Sequence, residues 1–212
     1  LIVSRGLGDV YKRQVVGSAA TAQRLAQGTF EAVSIHPSGC SEALQVWSAP
    51  VQLLAVKPQQ IDGIAAAAPD VDHHPLLVSV LAGVSLDRLQ RLFPGHRVVR
   101  AVPNTPALVG EGLTALAWGE AISSEQRLKV RELFAGVSEV LELPEAKLDA
   151  FLALTSSGPA FVALMAEAMA DGAVAAGLPR DLAHRLAHRT LAGTAALLDQ
   201  RQLHPATLKD LS

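Results

Sequence analysis

Cysteine is nearly missing from this 212-residue chain: Cys40 stands alone, so no internal disulfide can form and nothing points to an oxidising compartment. Cys40 lies in a polar stretch, HPSGCSEA, with no base paired to it, and reads as an inert thiol. Charge is sparse as well. Only 18% of residues are charged, the formal net charge is −2, and no long basic run occurs, which excludes the electrostatic footprint of a nucleic-acid binder. The longest apolar stretch, FVALMAEAMADGAVAAG, is interrupted by Glu167 and Asp171, so no membrane span is expected, and no signal-peptide layout opens the chain. These absences set the expectation of a cytoplasmic protein. Half the residues are hydrophobic, which suits a globular chain with a real core.

Several kinds of catalytic apparatus are absent too. No Ser-His-Asp arrangement and no paired-carboxylate spacing stands out. His184 and His188 share a helical face, but no glutamate lies between them and no third ligand is evident, so no metal site is expected; His73 and His74 read as loop residues. The opening GLGDVY is half of a G-x-G-x-x-G loop without its third glycine or a following amphipathic helix. Residues 1–14, which end in DVYKRQ and have no start methionine, are read as a non-native leader of sequencing-adaptor type and set aside.

What remains alternates strands and helices. VVGS (15–18) is a short apolar run followed by a helix-like AATAQRLAQG. VQLLAVKP (51–58) and LLVSVLAG (76–83) are unbroken apolar runs, the pattern of strands buried on both faces of a parallel sheet. RVVRAV (97–102), LTALAWG (113–119) and SEVLEL add further strands. Ser85 is expected to cap the helix in VSLDRLQRLFPG, and Ser123 with Gln126 to form a capping box. This order predicts an open α/β sheet with mostly parallel strands, whose ligands bind beyond the carboxyl ends of the strands. From about Pro144 strand signals stop. PEAKLDAFLAL, PAFVALMAEAMADGAVAAG and PRDLAHRLAHRTLAGTAALLDQ read as helices rich in small residues, with Gly177 and Pro179 marking a helix end and start. They form either an ordinary bundle or a surface for a second copy.

Three loops could carry chemistry. Lys57 closes a buried strand and could meet a cofactor phosphate, ribose or amide, although a lysine reaching solvent from a strand end is the blander reading. In VPNTPALVGEG, Pro103 and Pro106 stiffen a loop tipped by Asn104 and Thr105, while Gly110 and Gly112 permit a tight turn or a close approach; a structural turn reads equally well. In TSSGPAF, Ser156 or Ser157 is expected to cap a long helix whose free N–H groups could also hold an anion.

Taken in order, Ala55-Val56-Lys57-Pro58, Ala82-Gly83-Val84-Ser85, Val102-Pro103-Asn104-Thr105-Pro106-Ala107, Ser157-Gly158-Pro159-Ala160-Phe161, Gly177-Leu178-Pro179-Arg180 and His204-Pro205-Ala206-Thr207-Leu208-Lys209-Asp210 resemble the motifs of pyrroline-5-carboxylate reductases. The resemblance covers Val15 to Asp210. It implies a Rossmann-like NAD(P)-binding domain over 15–145 and a helical dimerisation domain over 146–212, with reduction of 1-pyrroline-5-carboxylate to L-proline as the reaction. It also implies cofactor contacts from Ala55, Val56, Lys57, Pro58, Val80, Leu81 and Ala82, and from Ser18, with Arg24 as a second candidate. Asn104 and Thr105 would face the reaction crevice, and Ser157 and Gly158 would serve the substrate. A serine and an arginine with no acidic residue near them lean towards NADPH, with NADH possible. A homodimer or larger homo-oligomer is implied, with a small-molecule substrate and neither nucleic acid nor membrane as partner. The family's G-x-G-x-x-[GA] loop, expected before Val15, and its [ST]-P-G-G-[TA]-T segment, expected after Asp210, do not stand in this sequence. Ser156 replaces the usual glycine and Val102 the usual methionine. Two rivals remain: a β-hydroxyacid dehydrogenase-like enzyme, whose lysine acid would have to be Lys147 or Lys209, neither in a matching motif, and a dimerising module without activity.

Overall fold

The computed structural model describes residues 12–16, 33–37 and 45–211. Ser18, Arg24 and Cys40 lie outside the described residues. The chain divides into two compact units, Leu1–Leu152 and Ala153–Ser212.

In the first unit, β1 (Lys12–Val16) pairs in parallel with β2 (Val33–Pro37), so Lys12–Gln14 of the residues set aside as a leader are strand residues here. A five-stranded sheet follows in the order β3-β4-β5-β6-β7, comprising Val51–Leu54, Leu76–Ser79, Arg97–Pro103, Gly112–Trp118 and Ser138–Glu142. β3, β4 and β5 run parallel, and so do β6 and β7. β5 and β6 run antiparallel. The reason is the connection. Residues 104–111 are too few to carry a crossover helix, so β6 must return beside β5 in the opposite direction.

Side-chain alternation sends the strands' residues to two faces. Leu54, Leu77 and Val98 pack on one face with Ile61 of α1 (Ile61–Ala67) and Leu89 of α2 (Leu86–Leu92). On the same face Val102, Ala115 and Ala117 meet Leu148 of α4 (Leu148–Thr155). Leu76, Val78, Val99, Ala101 and Leu116 pack on the other face with Val130 and Phe134 of α3 (Ser124–Ala135). All four residues of β4 are buried, as its unbroken apolar run predicts. β3 departs from that expectation. Leu53 is 41% exposed between the buried Gln52 and Leu54, and among the described residues β3 lies at the edge of its sheet. Ser85 caps α2 by accepting from Arg88 N–H, and Ser123 and Gln126 form the capping box of α3, as read from the sequence.

In the second unit, α5 (Gly158–Ala175) and α6 (Arg180–Gln200) meet along Ala170, Ala183 and Ala187, flanked by Ala173 and Val174. Small side chains let the two axes approach closely. Gly177 takes φ +103 after α5, a left-handed cap that glycine adopts without strain, and Pro179 stands one residue ahead of α6. α7 (Pro205–Leu211) follows. The capping expected of Ser157 is not made by its side chain: Ser157 holds helical φ and ψ at the N-cap of α5, and its carbonyl accepts from Ala160 N–H. One run of described residues, Glu145–Ala175, is long and apolar enough by length and composition to cross a bilayer, despite Glu167 and Asp171. Its exposed apolar side chains include Leu154, Phe161, Val162, Leu164 and Met165.

Candidate active site

Because β3, β4 and β5 are parallel neighbours, the loops after them open on one edge of the sheet. The register puts Leu54, Ser79 and Arg100 side by side. β3 and β4 stop there, whereas β5 continues for Ala101–Pro103, an overhang of about 10 Å at roughly 3.3 Å per residue. The edge is therefore a step, with a low shelf formed by the ends of β3 and β4 and a riser formed by the β5–β6 hairpin.

The shelf is built from small groups. After β3, Ala55 is exposed, Val56 packs partly into the core, and Lys57 is exposed with no ion pair among the described residues. Pro58 starts a single 3-10 turn, whose Gln60 N–H donates to the Lys57 carbonyl at 2.9 Å. After β4, Val80 N–H donates to the Leu54 carbonyl at 3.1 Å, and Leu81 N–H donates to Ser79 Oγ at 3.3 Å. Leu81 is only 4% exposed, so its side chain belongs to the core and only its backbone is left for a ligand. Ala82 and Gly83 are exposed. Gly83 holds φ +70, and a Cβ built on it meets nothing within 4 Å. Ala55, Ala82 and Gly83 thus leave an uncrowded surface at the carboxyl ends of parallel strands, which fits a flat ring such as nicotinamide.

The riser is stiff for visible reasons. Asn104 Oδ1 accepts from Leu113 N–H at 2.8 Å, and Asn104 N–H donates to the Leu113 carbonyl at 3.2 Å, so this residue clasps the base of the hairpin loop. A short 3-10 helix, Thr105–Val109, ends on Gly110 at φ +83. Gly112 is a packing glycine: a Cβ there would collide with Ser138 Oγ and come within 2.7 Å of Ala107 Cβ. Both glycines therefore serve the loop itself. Thr105, Leu108 and Val109 remain exposed.

A hollow of about 330 Å³ is lined by Trp118, Arg127, Glu142, Leu143, Pro144 and Glu145. Its polar groups satisfy one another. Glu142 accepts from Trp118 Nε1 at 2.8 Å and from Arg131 at 2.9 Å, and the Arg127 guanidinium sits 5.0 Å from the Trp118 ring centroid. Burial works against the Glu142 carboxylate, but these hydrogen bonds and the Arg131 and Arg127 charges prevail and hold its carboxyl below the usual range. With its donors already engaged, this cluster is structural.

A family model for pyrroline-5-carboxylate reductase dimerisation matches residues 145–211. The pyrroline-5-carboxylate reductase of Synechocystis is 46% identical over 197 residues, which span 92% of this chain and 72% of that protein. This chain belongs to the pyrroline-5-carboxylate reductase family. The soybean (Glycine max) reductase is 40% identical over 187 residues, 87% of this chain and 67% of its own length. The fold agrees with solved structures of the reductases. The Plasmodium falciparum enzyme with NADP bound superimposes with a TM-score of 0.78 at 23% identity, covering 95% of this chain and 84% of that one. The Streptococcus pyogenes enzyme gives 0.76 at 24% identity, covering 96% and 85%.

For this family member the described residues bring Ala55–Pro58, Val80–Ala82 and Asn104–Thr105 to one edge. Ser157 and Gly158 open α5 in the second unit. The sequence reading missed two residues beside the step, Arg100 and Glu145. For Arg100 the signal was present, since an arginine set between Val99 and Ala101 in the middle of an apolar run calls for a buried partner; for Glu145 there was none.

Proposed function

We propose that this protein reduces 1-pyrroline-5-carboxylate to L-proline. The observation that carries this reading is the 46% identity to the Synechocystis reductase over 92% of this chain. When bound, a reduced nicotinamide cofactor supplies the hydride, and a protonated cyclic imine is already a good acceptor. The residues then have to orient and shield rather than supply strong acids or bases. Ala55, Ala82 and the Val80–Leu81 backbone would hold that cofactor. Lys57 and Pro58 border it. Asn104 braces the riser, and Thr105 presents its hydroxyl beside it. Ser157 and Gly158 are assigned to the substrate. NADPH is the preferred donor, a reading supported by Ser18 and Arg24 without an acidic neighbour and by the NADP found on the Plasmodium enzyme. The active form is a homodimer or a larger homo-oligomer joined through the exposed apolar side of α5, and it works in the cytoplasm.

The test is a spectrophotometric assay of the purified protein with 1-pyrroline-5-carboxylate and either NADPH or NADH. Imine-dependent oxidation of a reduced nicotinamide, with kcat/KM higher for NADPH, is expected. No oxidation of either cofactor would end the reading.

A further inference from the structure

Glu145 joins three segments that lie far apart in the chain. It stands in the 3-10 turn Glu145–Lys147, just before α4. Its Oε1 accepts from the Leu86 backbone N–H at 2.7 Å and from Arg100 Nη1 at 2.7 Å. Leu86 is the first residue of α2, so Glu145 satisfies a helix N–H from 59 residues away, next to the N–H that Ser85 Oγ satisfies. Arg100 lies in β5 at the level where β3 and β4 end, and its side chain is only 7% exposed. Its Nε has no hydrogen-bond partner among the described residues, and the Glu145 carboxylate at 2.7 Å is the counter-charge that makes this buried guanidinium tolerable.

The placement matters for the shelf. α2 begins directly after Val80–Ser85, the segment that carries Ala82 and Gly83, while β5 runs on from Arg100 into the Asn104 loop. A single carboxylate oxygen therefore ties the far end of the shelf loop to the root of the riser. We infer that Glu145 is a positioning residue that sets the spacing between the shelf loop and β5, and through that spacing the affinity for the nicotinamide cofactor. The inference rests on the cofactor reading of the preceding subsection.

Cofactor binding to the complete protein tests it, with NADPH titrated by fluorescence and amide hydrogen exchange followed at Leu86. Glu145→Ala should weaken NADPH binding about tenfold or more, since small misplacements at a binding site are costly. Glu145→Gln keeps an acceptor oxygen without the charge and should fall between. Leu86 exchange should quicken in the same order. The control is Val130→Ala, which opens the core on the opposite face of the sheet; it should lower Tm yet leave the NADPH Kd within twofold. Faster Leu86 exchange with an unchanged Kd would overturn the inference, and so would a Val130→Ala effect as large as that of the Glu145 variants. Should Glu145→Ala not fold, an unchanged Kd in Glu145→Gln overturns it equally. A wild-type protein that does not bind NADPH would instead overturn the cofactor reading itself, and the inference with it.

Discussion

Asn104 and Thr105 are neighbours in one loop, yet Asn104 is bonded to Leu113 while Thr105 is exposed, so their substitution should have separable effects. Asn104→Ala deletes the acceptor of the 2.8 Å bond from Leu113 N–H and leaves that donor at the base of the hairpin without its partner. A partly buried donor left unmet costs on the order of 1–3 kcal/mol. Taking about 2 kcal/mol, and a shift of roughly 2–4 °C per kcal/mol for a chain of this size, Tm should fall by about 4–8 °C. Asn104→Asp keeps an oxygen where Leu113 N–H needs one and should recover most of that loss. Thr105 is exposed, so Thr105→Ala should leave Tm almost unmoved, within about 0.5 kcal/mol. Its effect should fall on kcat/KM for the imine alone. Calorimetry and steady-state kinetics on the same preparations separate the two. If Asn104→Ala melts with the wild type, the clasp does not hold the loop. If Thr105→Ala leaves kinetics unchanged, that hydroxyl has no part in the crevice.

Two further outcomes follow from other parts of the molecule. His96 is buried edge-on to Phe93 and Trp47, with Nε2 3.1 Å from Gln52 Oε1; burial first, and the His73 charge second, push its pKa below the ordinary imidazole value. The unfolded chain then takes up this proton at higher pH than the folded one, so the stability it contributes is complete above about pH 6.5 and declines as pH falls through that value towards the lower folded pKa. Melts between about pH 8 and pH 5 should show the decline, and His96→Phe should flatten it; an unchanged slope in the variant would refute the assignment. In the second unit, Phe161 is 68% exposed on the apolar side of α5, so Phe161→Glu should leave the protomer folded and reduce the mass seen by light scattering to that of a single chain. An unaltered mass would exclude this side of α5 from the interface.

Periodicity and punctuation in the sequence were good guides where each signal is local. Ser85, Ser123 and Gly177 act as their neighbours suggest, and the four buried residues of β4 match an uninterrupted apolar run. Signals that depend on what lies across the sheet were harder to read. VQLLAVKP has the composition of a strand covered on both sides, but coverage of Leu53 depends on neighbours the run cannot encode. α1 went unread because IDGIAAA makes only about two turns around a glycine, too brief for a period to emerge. The loops of the shelf were legible as motifs, yet Leu81, expected from the resemblance to contact the cofactor, gives its side chain to the core. Glu145 was invisible because its partners are 59 and 45 residues distant, and no pattern in one dimension announces such a pairing.

The seam of alanines between α5 and α6 has a consequence for how the protein comes into being. A methyl group shields little surface, so a hairpin closed on Ala170, Ala183 and Ala187 gains little from its own interior while presenting phenylalanine, leucine and methionine to water. Such a segment depends on company. In the homo-oligomer proposed above, its persistence scales with how many sister chains are nearby, and dilute, newly made protomers are the ones most exposed to proteases and to mispairing.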